Sequence, residues 1–486
     1  MTIQPSAPPS LDVLRRRAAG LWAALPPEIT ELAEAFERAG HELALVGGPV
    51  RDAFLGRSSA DLDFTTSASP DESERLLKRW TRATWDMGRE FGTIGGRRGE
   101  LVVEVTTYRA DEYDGETRKP VVAFGTSLHG DLARRDFTVN AMAVRLPSLE
   151  FVDPFDGLSD LAGGLLRTPI DPEVSFGDDP LRMMRAARFA SQLGFEIEPA
   201  TFSAMAAMAD RLSIVSAERV RDELTKLMLG TSVREGLAAL VDSSLADHVL
   251  PELPALKLEV DEHHHHKDVY EHTLTVVEQA IALETGPDGP VPAPDLVLRL
   301  AALLHDIGKP ATRRLEPGGG VSFHHHEVVG AKMAARRLKA LRFDKDTIKA
   351  VEHLVFLHLR FHGYADARWS DSAVRRYVVD AGAGLERLHR LTRADVTTRN
   401  RRKADRLSFA YDDLEARIAE LREQEEVDAI RPDLDGTQIM ALLGIAPGRE
   451  VGEAYRHLLE LRMEHGPLGE ERAEAELKTW WEARQG

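Results

Sequence analysis

Two aspartates, Asp61 and Asp63, stand one residue apart in the run DLDFTTS. The run predicts a β-strand, and alternate side chains of a strand point to the same face. Both carboxylates can then reach one ion pair. Hard Mg2+ prefers oxygen ligands, and two such ions roughly 4 Å apart stabilise the attacking and leaving oxygens of phosphoryl transfer. Aspartate pairs are common in surface turns, so the neighbours decide how this one is read. Upstream lies Gly47-Gly48-Pro49-Val50-Arg51-Asp52, whose glycines let the backbone approach a triphosphate closely. Downstream, Glu104 in LVVEVTTYR is either a third carboxylate for the same ions or a salt-bridge partner of Arg109.

The elements that must position these groups are legible in outline. Residues 1 to 40 read as helix, with Leu11, Leu14, Leu21 and Leu25 as an apolar stripe and Ala39-Gly40 as a stop. Strands are predicted at HELALVGG, DLDFTTS, FGTIGG and LVVEVTTYR, with a helical turn at PVRDAFLG. Residues 41 to 146 therefore form a mixed α/β unit with a small sheet. From Asp178 the pattern turns helical, in LRMMRAARFASQLGF, PATFSAMAAMADRL and SAERVRDELTKLML. The stretches 286–295 and 316–320 read as loops, and the histidine run at 263–266, lying mid-chain, reads as native.

Composition narrows the chemistry. No cysteine occurs, so disulfides and thiolates are excluded and any metal must be held by imidazole and carboxylate. With 62 basic against 80 acidic residues the net charge is -18, which argues against nonspecific nucleic-acid binding. RNA contact must come from local patches: Arg134-Arg135, the series Arg182, Arg185 and Arg188, or the cluster Arg399, Arg401, Arg402 and Lys403. The first residues lack the apolar core of a signal peptide and no run of about eighteen apolar residues appears, so a cytoplasmic protein that does not enter a membrane is expected. No protein partner is evident.

Taken whole, LVGGPVRDAFLGRSSADLDF resembles the signature of the class II tRNA nucleotidyltransferase and bacterial poly(A) polymerase family, within the polymerase β-like superfamily. GDLARRDFTVNAMA resembles its second motif, FVDPFDGLSDL its hinge, and GDDPLRMMRAARFASQLGF its nucleotide-selecting helix, followed by ERVRDELTKL. The resemblance implies Asp61 and Asp63 as Mg2+ ligands. It implies nucleotide contacts from Gly47, Gly48, Arg51, Asp131, Arg134, Arg135, Asp136, Asn140, Asp178, Asp179, Arg182, Arg185 and Arg188. Among these, Asp179 and Arg182 would pair with the incoming base in place of a template, because Asp accepts from an amino group while Arg donates to a ring nitrogen or carbonyl. Asp178 stands where the family usually has Glu, one methylene longer.

Further on, DVYEHTL, LRLAALLHDIGKPATR, FHHHEVVGAKMA, LVFLHLRF and LTRADVTTRN together resemble the HD phosphohydrolase superfamily. The resemblance implies a divalent transition metal on His272, His305, Asp306 and Asp395, with His326 and His358 available to a second ion. His326 is preferred over His324 and His325 because it stands directly before Glu327 at the expected helix start. Such a site activates water against a phosphoester.

The expected fold is a small mixed-sheet α/β head followed by a mostly α-helical neck and body that includes an HD domain. Its expected divisions are an N-terminal helix (1–30), the head (31–168), the neck (169–255), the HD domain (256–410) and a helical tail (411–486). The implied activity is addition of CCA to the 3′ end of tRNA from CTP and ATP, with an HD activity on 3′ or 2′,3′-cyclic phosphates. Poly(A), CC-only or A-only addition is the alternative within the family. A phosphohydrolase or sensor with an RNA-binding head is the alternative outside it, and the intact aspartate pair argues against that, since unneutralised carboxylates would repel polyphosphate. The segment 111–125 resembles a mobile loop of the family and fits full CCA addition.

Overall fold

The computed structural model describes residues 10–57, 61–112, 121–125, 127–258, 269–317, 321–361, 363–364, 369–398, 400–425 and 431–485. The loop expected within 111–125, the histidine run at 263–266 and Arg399 therefore fall wholly or partly outside the described residues. The chain divides into two compact units, residues 1–249 and 250–486. Among the described residues no helix is long and apolar enough to cross a membrane.

The single N-terminal helix expected through residue 40 is two: α1 (Leu11–Ala23) and α2 (Pro27–Arg38). The break lies at Pro26-Pro27, because a proline disfavours helical geometry in the residue before it while fitting well at a first helical position. α1 is part of the head and not an appendage, since Trp22 packs edge-on to Phe54 at 5.2 Å and stacks with Phe151 at 5.8 Å.

The remaining head elements are β1 (Leu43–Val46), α3 (Gly48–Phe54), β2 (Asp61–Thr66), α4 (Pro70–Trp80), β3 (Ala83–Gly88), β4 (Thr93–Arg98) and β5 (Leu101–Thr107). They continue with β6 (Arg109–Glu112), β7 (Val121–Phe124), α5 (Leu128–Ala133), β8 (Ala143–Leu146) and β9 (Glu150–Val152). Seven strands form one sheet in the order β3-β4-β5-β2-β1-β8-β9, and β6 pairs with β7 apart from it. Only β2 and β5 run parallel in this sheet, with Asp61 opposite Val102 and Asp63 opposite Glu104. Leu62 and Phe64 are buried while Asp63 is exposed, so the aspartate face of β2 is the open face of the sheet.

The neck is helical: α6 (Gly157–Gly163), the short strands β10 (Leu165–Leu166) and β11 (Glu196–Ile197), α7 (Pro172–Asp178), α8 (Leu181–Leu193), α9 (Pro199–Ala207), α10 (Ala217–Met228), α11 (Val233–Asp242) and α12 (Leu245–Val249). α8 is buried on nearly every side, Arg182 and Arg188 included, as the central rod against α10 and α11. Gly236 on α11 permits this approach, since a Cβ there would stand 2.8 Å from the Ala187 carbonyl oxygen.

The second unit holds α13 (Val269–Ala282), α14 (Leu296–Leu304), α15 (Lys309–Thr312), a two-stranded hairpin, α16 (His326–Ala340) and α17 (Lys345–Leu357). Helices at Asp371–Ala381, Leu385–Ala394 and Arg401–Glu425 follow. The division expected at 410/411 falls inside the last of these, a continuous helix of 25 residues. What sequence showed only as charged tail is a small helical cluster with its own core, in which Ile439, Leu458 and Leu477 are buried together.

Candidate nucleotidyl-transfer and metal sites

At the end of β1 the chain turns at Gly47, whose φ of +72° is a left-handed conformation that favours glycine. A Cβ there would stand 3.0 Å from an Arg135 nitrogen, so the turn and the second motif meet at this point. Arg51, on α3, donates to Asn140 Oδ1 at 2.7 Å and to Asp52 Oδ1 at 2.9 Å. Asn140 in turn donates to Asp136 Oδ1 at 3.0 Å, and Arg185 of α8 donates from Nε to Asp136 Oδ2 at 2.7 Å. Glu223 of α10 closes the series, 3.9 Å from Arg185 and 3.1 Å from Arg188.

Asp136 is buried, which alone would raise its pKa, but the Arg185 charge and the hydrogen bond from Asn140 outweigh burial and hold it at about 2. Arg188 moves the other way: burial, with the Arg185 charge beside it, brings it down to about 10. Its guanidinium lies 4.1 Å from the Phe189 ring centroid. Buried Asp136 and Arg188, with the partly exposed Arg51 and Arg185, thus form one ionic floor along α8.

Above that floor is a cavity of about 280 Å³ whose lining includes Arg134, Arg135, Asp179, Arg182, Arg185 and Arg219. Asp131, buried at its edge, lies 3.5 Å from Arg134 and 3.4 Å from Arg135. Arg182 donates to Ser175 Oγ at 2.9 Å, to the Ser175 carbonyl at 3.2 Å and to the Arg134 carbonyl at 2.6 Å. Asp179 accepts from the Leu181 amide at 3.1 Å and pairs with Arg219 at 2.8 Å. Asp178 is the last residue of α7 and half-buried. The side chain of Asp61 lies outside the described set. Asp63 and Glu104 present a row of oxygen donors, which fits Mg2+.

In the second unit His272 (α13), His305 and Asp306 (after α14), His326 (start of α16), His358 (after α17) and Asp395 converge. His272, His305 and Asp395 bring ligand atoms within 4.8 Å of one another, as do Asp306, His326 and His358. His305, His326 and His358 each donate from Nδ1 to the backbone carbonyl three residues earlier, at 2.9, 2.9 and 2.6 Å. That fixes the tautomer and turns each Nε2 inward. Among the described residues Nε2 of His358 is buried with no hydrogen-bond partner, and those of His305 and His326 stand 3.2 and 3.3 Å from Asp306 without hydrogen-bonding geometry. His325 has φ +64°, and this turn leaves His324 and His325 exposed while His326 goes inward. Lys309 Nζ lies 2.7 Å from Asp306 Oδ2.

Burial would lower the pKa of His305, but Asp306 and Asp395 overcome it and raise the group to about 10. His358 is brought down to about 3 by burial and by the charge on His305. The buried Asp306 and half-buried Asp395 therefore demand positive charge in this cluster. Orphaned imidazole nitrogens beside them fit a divalent ion.

Known proteins resemble this chain over most of its length. The model of the poly A polymerase head domain matches residues 43–167, that of a probable RNA and SrmB-binding site of polymerase A matches 194–256, and the HD domain matches 269–408. An A-adding tRNA nucleotidyltransferase of Deinococcus radiodurans is 36% identical over 455 residues, covering 91% of this chain and 96% of its own. The chain belongs to the tRNA nucleotidyltransferase and poly(A) polymerase family. A CCA-adding enzyme of Bacillus velezensis is 44% identical over 220 residues, which span 45% of this chain and 53% of that enzyme. The crystal structure of a Bacillus stearothermophilus CCA-adding enzyme in complex with CTP has the same fold, with a TM-score of 0.66 at 23% identity over 94% of this chain and 98% of the other.

In this family member several residues of the two clusters were not singled out by sequence. Arg219 and Glu223 are four apart on α10, a spacing that ordinarily marks a solvated ion pair, yet they reach Asp179 and the α8 arginines instead. Thr397, whose hydroxyl lies 3.0 Å from His272 Nδ1, gave no signal either.

Proposed function

We propose that this chain adds nucleotides without a template to the 3′ end of tRNA, building CCA from CTP and ATP, with Asp61 and Asp63 as the Mg2+ ligands. The observation that carries this reading is the cavity in which Asp179 and Arg182 stand among Arg134, Arg135 and Arg219, beside the open carboxylate face of β2. The arginines suit a triphosphate, and Asp179 with Arg182 suits the edge of a base. Arg182 is held by three hydrogen bonds to Ser175 and Arg134, so its donor direction is set before the nucleotide arrives. The acceptor 3′ hydroxyl loses its proton to solvent, its oxygen bonds the α-phosphorus and the bond from that phosphorus to pyrophosphate breaks. Bound Mg2+ supplies charge neutralisation at the attacking and leaving oxygens.

In the HD domain, His272, His305, Asp306, Asp395, His326 and His358 would hold one or two transition ions, which supply an activated water for hydrolysis of RNA 3′ or 2′,3′-cyclic phosphates. Lys309, beside Asp306, is placed to attract the phosphate.

A-only addition is the second reading, favoured by the alignment with an A-adding enzyme over nearly the whole chain. Purified protein given tRNA lacking CCA, with CTP and ATP separately and together, separates the two. CCA addition requires CTP incorporation followed by ATP. Incorporation of ATP only, and only into tRNA ending in CC, would replace it with the second reading.

A further inference from the structure

We propose that a second cavity in the head, on the open face of β3, β4 and β5, receives the 3′-terminal base of the RNA acceptor, stacked against Trp85 and Phe91. The inference rests on the nucleotidyl-transfer reading above and adds where the second substrate sits. The cavity has a volume of about 380 Å³, and its lining includes Trp85, Phe91, Thr93, Gly95, Glu104 and Arg109.

Register gives the argument its geometry. Trp85 on β3 pairs with Gly95 on β4, Gly95 with Glu104 on β5, and Glu104 with Asp63 on β2. Residues paired across a sheet share a face, so an indole, a bare glycine and two carboxylates lie in one row leading to the metal-binding strand. Gly95 is what lets the indole lie down. A Cβ at that position would stand 2.1 Å from Trp85 Nε1 and Cε2, so the ring rests directly on the glycine and extends along the row toward Glu104. Three strand spacings, about 14 Å, separate the Trp85 and Asp63 backbones. With the indole reaching inward, the remaining gap suits one nucleoside.

The chemistry of the two cavities is complementary. The first is lined mostly by arginines and would take the triphosphate; the second offers two aromatic rings with one carboxylate and one arginine, a poorer seat for polyphosphate and a better one for a base. Phe91 is 46% exposed, so its ring is open to a stacking partner. The cavities adjoin: Arg109 lines both, and Thr93 of the second lies 2.9 Å from Thr106 of the first, hydroxyl to hydroxyl. A nucleotidyl transfer needs its two substrates on either side of one set of carboxylates, and this arrangement supplies that.

The test uses the full chain and a short RNA minihelix acceptor, so that contacts with a tRNA body do not mask one base. For Phe91→Ala and Trp85→Leu the KM for the minihelix should rise roughly ten-fold, the loss of one stacked base, while the KM for CTP or ATP stays within about two-fold of wild type. Phe91→Tyr should restore the acceptor KM, and since Phe91 is exposed its replacement should leave the melting temperature unchanged. An unchanged acceptor KM in Phe91→Ala, or equal changes in acceptor and nucleotide KM, overturns the assignment while leaving nucleotide addition standing. Wild-type protein that extends no RNA would overturn the parent reading, and this one with it.

Discussion

The two clusters of acids and bases are built on opposite plans. In the head, Asp63 and Glu104 stand exposed on one face of a sheet, and the arginines that face the cavity, Arg182 apart, are partly or fully exposed. In the HD domain every donor but the half-buried Asp395 is buried, three of the four imidazoles are tied by Nδ1 to a backbone carbonyl, and both carboxylates are held well below the usual range by the imidazoles around them, against the effect of burial. The open site can wait for substrate and ions together, since water solvates its carboxylates meanwhile. The closed site has no such solvent, so it must carry a cation of its own, whether a proton on His305 or a metal ion. Removing a ligand should therefore have different consequences in each.

The largest effect is expected at the open site. Asp63→Ala should lower CTP incorporation into tRNA lacking CCA by at least about a thousand-fold, because a ligand acting on the reacting phosphate is lost. Stability should change by no more than about 0.5 kcal/mol, as for exposed residues generally. A large drop in melting temperature would show that the face is not as open as its exposure indicates. At the closed site, His305→Ala combined with Asp306→Ala should abolish bound transition metal by elemental analysis and remove phosphatase or cyclic phosphodiesterase activity, with CTP incorporation preserved. Wild-type protein that purifies without metal and takes up none would make the cluster structural, and the contrast would fail on that side.

An intermediate case sharpens the contrast. Arg182 faces the open cavity yet is itself buried and held by three hydrogen bonds. Arg182→Ala should reduce efficiency with the correct nucleotide about ten- to a hundred-fold, the worth of a charged hydrogen bond, and UTP should suffer less. Uracil presents a ring N–H and a carbonyl where cytosine presents an acceptor and an amino group, so little is lost with it. Equal losses for all four nucleotides would mean that Arg182 only supports α7 and the second motif.

Much of both sites could be read from residue order, for a physical reason. A D-x-D pair needs only the two-residue period of a strand to share a face, and HD ligands at helix ends follow apolar runs that sequence shows directly. Turn geometry also separated His326 from His324 and His325, because the residue opening a helix is set locally. What sequence could not show depends on contacts far along the chain. β3 was missed because ATWDMG has no clean alternation, and without it the row from Trp85 to Asp63 cannot be drawn. Arg219 and Glu223 look like a solvated pair until α8 is packed against α10. The tail's core was not legible because it consists of a few small and aliphatic residues spread among charges, and the helix Arg401–Glu425 runs through the expected boundary without a break signal.

The smallest effect tests whether the head too contains a closed region, the ionic floor beneath α8. Asp136 has a folded-state pKa of about 2 against an ordinary value of 3.8, so the unfolded chain binds more protons in the interval between them. A depressed carboxylate contributes stability that is present above its unfolded value and is lost as pH falls through its folded value. The contribution should be whole at pH 5, decline from about pH 4 and be gone near pH 2, amounting to about 2 kcal/mol. Asp136→Asn keeps the shape but removes the charge that Arg185 and the Asn140 amide address. The variant's head should therefore unfold about 2 kcal/mol more easily than wild type at pH 7, and the difference should shrink as pH is lowered from 4 toward 2. Denaturant unfolding of both proteins at several pH values, followed by a probe in the first unit, measures this. A gap that stays constant with pH would mean that Asp136 acts through packing and its bond to the Phe137 amide, and the head would then have no buried charge network to set against that of the HD domain.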